Sequence, residues 1–191
     1  MILTLANQLT ILRMALVPGL VILVIYGRFG WALVLFFIAG LTDALDGLFA
    51  RIRGEQTRLG AMLDPLADKL LVSGALVVLS VPNAELTVRI PAWITILAIS
   101  RDVGILLAVL IINLAIERRA FPPSLLGKAT TLVQLATILW ILWCNYGHST
   151  SRVTEVLLGA MVLFTIASAL HYMLRVRKII GEMDEAAEGS K

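Results

Sequence analysis

Four aspartates lie close together in a stretch of sequence that is otherwise mostly apolar. Asp43 and Asp46 are three residues apart, and Asp64 and Asp68 are four apart. If both stretches are helical, each pair lies on one face of its helix, because residues three or four apart are neighbours on a helix surface. The short polar connection between them, residues 51–59, predicts that the two helices are antiparallel neighbours whose carboxylates lie at adjoining ends.

Four carboxylates in one place repel one another and partly protonate unless cations lie between them. The pattern therefore predicts divalent metal ions, Mg²⁺ or Mn²⁺, because all the candidate ligand atoms are oxygens. Two such ions roughly 4 Å apart can bridge a diphosphate and stabilise both the attacking and the leaving oxygens. Zinc is disfavoured, since the single cysteine, Cys144, lies far away in the sequence and no histidine is near the aspartates.

The residues around the aspartates suit a ligand that carries phosphate. Gly47 has no side chain where a phosphate or ribose would approach the backbone, and Gly60 either does the same or permits close helix packing. Arg51 lies one helical turn beyond Gly47, where its guanidinium can hold phosphate oxygens. Pro65 has no amide hydrogen, so it is expected in the first turn of its helix. Each residue alone has a structural explanation, but the joint pattern favours a catalytic site.

The composition indicates that a membrane surrounds these residues. The chain has 191 residues, of which 59% are hydrophobic and 15% charged, whereas soluble domains are roughly 25% charged. Six apolar stretches are long enough to cross a hydrocarbon core about 30 Å thick. They lie near residues 7–27, 31–50, 61–81, 91–116, 128–146 and 154–175. The prediction is an all-α integral membrane protein with six transmembrane helices, since backbone in lipid must form its own hydrogen bonds.

One membrane domain is expected over residues 1–180, followed by a polar, frayed C-terminal tail over residues 181–191. The domain begins with an interfacial segment in which Asn7, Thr10 and Arg13 share one helical face. That face is either an anchor at the membrane surface or a polar surface turned toward a ligand. The first apolar stretch is expected to be retained, since neither the basic residues nor the cleavage site of a signal peptide accompany it.

The distribution of basic residues predicts the orientation in the membrane. With six spans, both termini and the second and fourth connections share one side. That side carries Arg51, Arg53, Arg58, Arg118, Arg119, Lys128, Arg175, Arg177 and Lys178, and the other side carries Arg28, Arg89 and Arg152. Positive charge accumulates in cytoplasmic loops, so both termini and the aspartates are expected to face the cytoplasm. Nucleic-acid binding is not expected, because the basic residues do not form one patch.

The window from Asp43 to Asp68 resembles the signature of the CDP-alcohol phosphotransferase family. It reads Asp43-x2-Asp46-Gly47-x2-Ala50-Arg51-x8-Gly60-x3-Asp64-x3-Asp68, which agrees with that signature at every fixed position. The resemblance implies that the first three aspartates hold divalent metal. It also implies that Asp68 lies at the metals and takes the proton from the attacking hydroxyl.

The resemblance further implies a reaction, in which a phosphatidyl group passes from CDP-diacylglycerol to an alcohol and CMP is released. The residues expected to contact or shape the CDP site are Gly47, Ala50, Arg51, Thr57 and Gly60, together with Asn7 and Thr10. The resemblance also implies a homodimer. The expected location is the cell membrane of a bacterial or archaeal type of cell, with the active site facing the cytoplasm.

The acceptor alcohol follows from other residues. A basic pocket made by Arg101, Lys128, Arg118 and Arg119 predicts a phosphorylated acceptor, although an ion pair between Arg101 and Asp102 is an equal alternative. The stretch Ser100-Arg101-Asp102 and the run 126–134 are similar to those of family members that use glycerol 3-phosphate. They are also similar to those of members that use phosphatidylglycerol. Glycerol 3-phosphate is the expected acceptor, with phosphatidylglycerol next and transfer to inositol phosphate behind.

A transporter of ions or protons also places carboxylates inside a membrane. Many transporters show internal repeats, and none is visible in this sequence. An enzyme is therefore favoured. Neither His148, in a predicted solvated loop, nor His171, in an apolar helix, is expected to be catalytic.

Overall fold

The computed structural model describes residues 5–53, 58–115 and 125–188, with side chains described for residues 11–42, 69–108, 125–175 and 177. In these ranges the chain forms six α-helices and no strand, which confirms the all-α prediction. The helices are α1 (Leu5–Ile25), α2 (Phe29–Arg53), α3 (Arg58–Ser80), α4 (Ala92–Ala115), α5 (Leu125–Tyr146) and α6 (Arg152–Glu188). Each of the six predicted apolar stretches lies largely within one of them.

Among the residues whose side chains are described, two helical segments are long and apolar enough to cross a membrane, Leu125–Tyr146 and Arg152–Arg175. Shorter apolar helical stretches lie at Ile11–Ile25, Phe29–Thr42 and Lys69–Ser80. Many large apolar side chains on these helices remain exposed, including Trp31, Phe37, Leu132 and Leu163. Water-soluble proteins rarely leave so much apolar surface uncovered, so the surface indicates a membrane protein.

The buried core lies where α1, α2, α3 and α5 meet. α1 packs most extensively against α3 and also against α2, while α5 packs against α6 and α2, and α4 joins α6 and α3. The largest fully buried apolar side chains are Leu20, Phe36, Leu71, Leu76, Leu79, Ile90, Ile138, Ile141, Leu142 and Met161. The sequence predicts direct packing of α2 on α3. In the described packing, α1 contacts both of these helices.

Hydrogen bonds at one end of the bundle establish how the helices run. Asn83, just after α3, donates through Nδ2 to the carbonyl of Ile25 over 3.1 Å, so α1 and α3 end side by side. Asn145, near the end of α5, accepts from the amides of Thr87 and Val88. We call residues 26–30, 81–91 and 145–154 the distal end, and residues 43–53 and 58–68 the aspartate half.

The connection from α1 to α2 is short because α1 ends in a tight glycine turn. Gly27 has a positive φ of 68°, a conformation that suits glycine because it has no Cβ. The amide of Arg28 then donates to the carbonyl of Leu23 over 2.8 Å, and the amide of Gly27 to that of Val24 over 3.1 Å. This pair of bonds satisfies carbonyls that a helix end leaves open.

α1 includes Asn7 and Thr10, so the predicted interfacial segment is helical and continuous with the first apolar stretch. Two local expectations need correction. Pro65 lies in the eighth position of α3 rather than in its first turn, where it cannot donate to the carbonyl of Ala61. The tail predicted to fray from Gly181 is helical through Glu188, because its alanines, glutamates and methionine favour helix.

Candidate active site

The first pair of aspartates lies in the second half of α2. Asp43 and Asp46 belong to one uninterrupted helix, so their Cα atoms are separated by about 4.5 Å of helix rise. The residue before them, Thr42, donates its hydroxyl to the carbonyls of Ile38 at 2.8 Å and Ala39 at 3.0 Å. Such bonding back to the preceding turn keeps a hydroxyl satisfied inside an apolar helix.

The second pair lies in the first half of α3. Asp64 and Asp68 are one turn apart on a helix that starts at Arg58, so the backbone supports the predicted shared face. Gly47, Ala50 and Arg51 lie on α2 and Gly60 on α3. The side chains of all these residues lie outside those that the structure describes.

An ion-pair chain begins at the residue that follows Asp68. Lys69 Nζ on α3 donates to Asp102 Oδ2 on α4 over 2.8 Å. Arg101 Nη1 donates to Asp102 Oδ1 over 2.6 Å, and Arg101 Nη2 donates to the hydroxyl of Ser168 on α6. Three helices are therefore tied together beside the last aspartate of the signature.

This ion-pair chain is largely shielded from solvent. The side chains of Arg101 and Asp102 are 6% and 8% exposed, whereas that of Lys69 is 34% exposed. Two cations share one carboxylate, so the group carries a net positive charge. Arg101 Nε is buried without a hydrogen-bond partner among the described residues. A buried donor in this state favours a polar or anionic ligand nearby.

The ion pair between Arg101 and Asp102, which the sequence offers as the alternative to a ligand role, is present. Sequence reasoning missed Lys69 and Ser168 as partners. The available signal was the position of Lys69 within an apolar stretch, since intramembrane charges usually pair with one another.

The other predicted acceptor residues are only partly described. Lys128 lies in the first turn of α5 with an exposed side chain. Arg118 and Arg119 lie outside the described residues, as does Thr57 of the predicted CDP site. The ligand roles of these four residues stay predictions.

The polar face near the start of α1 is buried at Arg13, the third of its residues. Asn7 and Thr10 lie on α1, and their side chains are outside the described set. Arg13, one turn beyond Thr10, is 4% exposed. Its burial favours the ligand-facing alternative over a surface anchor.

Helix α5 adds polar groups from the run 126–134, whose similarity to that of other family members does not by itself assign a role to each residue. Thr130 donates to the carbonyls of Leu126 at 2.7 Å and Phe164 at 3.1 Å, which joins α5 to α6. Gln134, one turn further, is fully buried. Neither its Nε2 nor its Oε1 has a hydrogen-bond partner within the described ranges, so this amide is available to a polar ligand or to water.

Among the residues whose side chains are described, no three His, Cys, Asp or Glu come together to hold a metal ion. The four aspartates lie outside that set. Their donor atoms are all carboxylate oxygens on two helices, which is the ligand chemistry of Mg²⁺ and Mn²⁺. Cys144 is buried and free.

The helical fold, the paired aspartates and the spacing of the signature define a class of membrane enzyme. The family model for CDP-alcohol phosphatidyltransferase matches residues 3–168. The chain therefore belongs to the CDP-alcohol phosphatidyltransferase family, and the family predicted from the signature is confirmed. The prediction of an enzyme rather than a transporter is confirmed with it.

Individual relatives are similar along most of the chain. A protein of Mycobacterium tuberculosis (strain ATCC 25618 / H37Rv) named "Probable phosphatidylglycerophosphate synthase" is 35% identical over 193 aligned residues, covering 96% of this chain and 86% of that protein. A CDP-diacylglycerol–glycerol-3-phosphate 3-phosphatidyltransferase of Bacillus subtilis (strain 168) is 32% identical, covering 88% and 92%. The cardiolipin synthase (CMP-forming) of Homo sapiens is 34% identical, covering 93% of this chain but 63% of that protein.

Proposed function

We propose that this chain transfers a phosphatidyl group from CDP-diacylglycerol to glycerol 3-phosphate, giving phosphatidylglycerophosphate and CMP. The observation that carries the proposal is the complete family signature on two consecutive helices, α2 and α3. Relatives named for this activity cover most of the chain, which supports the choice of acceptor.

Metal binding belongs to the same proposal. Asp43, Asp46 and Asp64 would hold two divalent ions, Mg²⁺ or Mn²⁺, with Asp68 beside them. Bound ions of this kind neutralise a diphosphate and stabilise the charge that builds up on the leaving oxygen. The oxygen-only donor set supports the assignment.

Asp68 is the proposed catalytic base. It orients the acceptor hydroxyl and takes its proton as the hydroxyl oxygen attacks the phosphorus of the phosphatidyl group. A new P–O bond to the acceptor forms while the P–O bond to CMP breaks, and CMP leaves with that electron pair. The proton ends on Asp68 and is then released to solvent.

The nucleotide half of the donor is assigned to residues on three helices and one connection. Gly47 and Gly60 would let the nucleotide approach the backbone, and Arg51 would hold phosphate oxygens. The full proposed set is Asn7, Thr10, Gly47, Ala50, Arg51, Thr57 and Gly60. The burial of Arg13 on the same face of α1 as Asn7 and Thr10 supports their inward orientation.

The phosphate of the acceptor is assigned to Arg101, Lys128, Arg118 and Arg119. Arg101 is held rigidly by Asp102 and Ser168, yet its Nε remains unpaired among the described residues. A guanidinium fixed in this way loses little entropy when it binds a phosphate oxygen. The net positive charge of the ion-pair chain supports an acceptor with two negative charges.

We also propose that all six helices span the membrane, with both termini and the aspartate half on the cytoplasmic side, and that the enzyme is a homodimer. The excess of Lys and Arg in the predicted cytoplasmic connections supports the orientation. A water-soluble acceptor then reaches the metals from the cytoplasm while the acyl chains of the donor stay in lipid.

A second candidate is a cardiolipin synthase, which would use phosphatidylglycerol as acceptor. One observation favours it: Asp102 neutralises one of the two cations it contacts, which suits an acceptor whose phosphodiester carries a single charge. The similarity to the human cardiolipin synthase is also extensive.

The two candidates are separated by incubating the purified protein with Mg²⁺, CDP-diacylglycerol and one acceptor at a time, while CMP release is followed. We expect CMP release that depends on glycerol 3-phosphate. Release only with phosphatidylglycerol would favour the second candidate, and no acceptor-dependent release would contradict both. Omitting Mg²⁺ in the presence of a chelator is expected to abolish the signal.

A further inference from the structure

A cavity of about 620 Å³ opens at the distal end, between the start of α2 and the end of α5. We call it the distal cavity, and its defining residues are Arg28, Gly30, Trp31, Tyr146 and His148. α2 and α5 approach closely there, because a Cβ on Gly30 would lie 2.9 Å from the ring of Tyr146. The absence of a side chain on Gly30 therefore lets the Tyr146 ring pack on the α2 backbone.

An apolar groove adjoins this cavity on the outside of the bundle. The groove also measures about 620 Å³ and is lined by Phe37, Leu139, Trp140 and Trp143, among others. Leu33 and Val34 line both spaces, so the two adjoin along α2, close enough for one ligand to occupy both. Together they present a polar mouth at the distal end and an apolar channel toward the middle of the helices.

The mouth of this site carries a cation that has no partner among the described residues. Arg28 is exposed, and its guanidinium makes no hydrogen bond or ion pair with the described part of the chain. Glu85 lies against Gly27, but it does not line the cavity. An arginine at the mouth of an apolar channel fits a ligand with a phosphate head and a hydrocarbon body.

His148 reaches the same mouth from an unusual backbone conformation. The amide of Ser149 donates to the carbonyl of Cys144 over 2.9 Å, and α5 ends there with His148 at a φ of 46°. Glycine usually occupies this position in such a helix end. The ring of His148 lies 3.4 Å from the Thr87 hydroxyl through Nδ1. A side chain kept where glycine is preferred points to a role for that side chain.

We propose that the distal cavity and the groove together bind one anionic phospholipid from the leaflet opposite the aspartate half. Its phosphate contacts Arg28 and His148, and one acyl chain lies in the groove against Trp140 and Trp143. The exposed aromatic rings suit this depth, since Trp and Tyr concentrate where lipid headgroups meet hydrocarbon. The apolar groove contacts acyl chains, which anionic and neutral phospholipids share. The charge of Arg28 therefore supplies the selectivity for the anionic headgroup.

Intrinsic fluorescence can test this proposal, because three of the four tryptophans line the site. Trp31, Trp140 and Trp143 do so, whereas Trp93 lies on α4 and is replaced by phenylalanine in the test protein. The protein is reconstituted with mixtures of phosphatidylglycerol and phosphatidylcholine in which one of the two carries brominated chains, which quench nearby tryptophan. We expect brominated phosphatidylglycerol to bind about fivefold more strongly than brominated phosphatidylcholine.

Two variants and one matched control sharpen the test. Arg28→Gln is expected to remove the preference for the anionic lipid, whereas Arg152→Gln, at the same end but outside the site, is expected to keep it. Ala136→Phe, which narrows the groove, is expected to reduce quenching by both lipids. A single symmetric peak in size-exclusion chromatography shows that each variant is folded.

Several results would overturn the proposal. Equal quenching of the unsubstituted site by the two lipids, or an unchanged preference in Arg28→Gln, would show that Arg28 selects no headgroup. No quenching by either lipid would mean that another helix or a second copy of the chain covers the groove. The choice of leaflet rests on the membrane topology proposed above, but none of these outcomes depends on whether the protein releases CMP, so a failure here is distinguishable from a failure of the proposed activity.

Discussion

The distal end and the region beside the aspartates are held together by different kinds of interaction. At the distal end, Asn145 is fully buried and makes four neutral hydrogen bonds, accepting from the amides of Thr87 and Val88 and donating to the carbonyls of Val88 and Ile141. Beside the aspartates, the charges of Lys69, Arg101 and Asp102 join α3 to α4, and Arg101 also donates to the hydroxyl of Ser168 on α6.

The difference shows where the molecule contains charged groups whose removal from water costs free energy. One amide side chain is sufficient to fix the connection after α3 onto the end of α5, and it carries no charge. Buried ion pairs are rarely the most stable solution, because removing two charges from water costs several kcal/mol per ion. The buried pair here is Arg101–Asp102, and the partly exposed Lys69 links it to the residue after Asp68, so this region favours position and electrostatics over stability alone.

The largest expected effect tests whether catalysis resides only at the aspartates. Asp68→Asn keeps the size of the side chain but removes the proposed base, so we expect CMP release to fall by roughly 10² to 10⁴-fold. The matched control is Glu85→Gln, an acid at the distal end, which is expected to leave turnover unchanged. Equal turnover in Asp68→Asn and the parent protein would show that Asp68 is not the base.

The next effect concerns the ion-pair chain. Asp102→Leu leaves Lys69 and Arg101 without their carboxylate, and we expect the free energy of unfolding to fall by about 3 to 5 kcal/mol. Reversible unfolding by dodecyl sulfate in mixed micelles measures the change. The double variant with Lys69→Met is expected to recover part of the loss, since one stranded charge is removed with it. A loss below about 1 kcal/mol would mean that the pairs are solvated and weak.

A smaller effect is expected from the neutral network. Asn145→Ala leaves the amides of Thr87 and Val88 without their acceptor, which lowers the free energy of unfolding by roughly 2 to 3 kcal/mol. CMP release, assayed well below the unfolding midpoint, is expected to stay close to that of the parent protein. A loss of turnover at full folding would contradict the separation between the two regions.

The smallest effect has the opposite sign. His148→Gly removes an L side chain from a left-handed conformation that costs about 1 to 2 kcal/mol, so we expect a stabilisation of up to this size in the same unfolding assay. The preference for brominated phosphatidylglycerol should weaken at the same time. Destabilisation by this change would show that the Thr87 contact of the ring outweighs the backbone strain.

The sequence predicts the helices well because their signal is local. Long apolar runs predict the helices, and the turn at Gly27 follows from glycine chemistry alone. The spacing of the four aspartates is equally local, so the signature is visible in the order of the residues. The helical end of α6 is a different case, because its polar composition suggests fraying while its alanines and glutamates favour helix.

Contacts between distant residues are much harder to predict. Asp102 can be paired with its neighbour Arg101 from the sequence, but its contact with Lys69 spans 33 positions and depends on the packing of α3 on α4. The same holds for Asn145, whose partners lie 57 and 58 positions away. The periodicity of the apolar residues predicts that these helices pack against other helices. It does not predict which polar side chains come into contact.

The central claim is that the aspartate half transfers a phosphatidyl group to glycerol 3-phosphate. It is tested most directly by supplying CDP-diacylglycerol, Mg²⁺ and glycerol 3-phosphate labelled with ¹³C, and by identifying the lipid product by mass spectrometry. We predict phosphatidylglycerophosphate that carries the label, formed in an amount equal to the CMP released. CMP without labelled lipid would mean hydrolysis of the donor rather than transfer, and would contradict the claim.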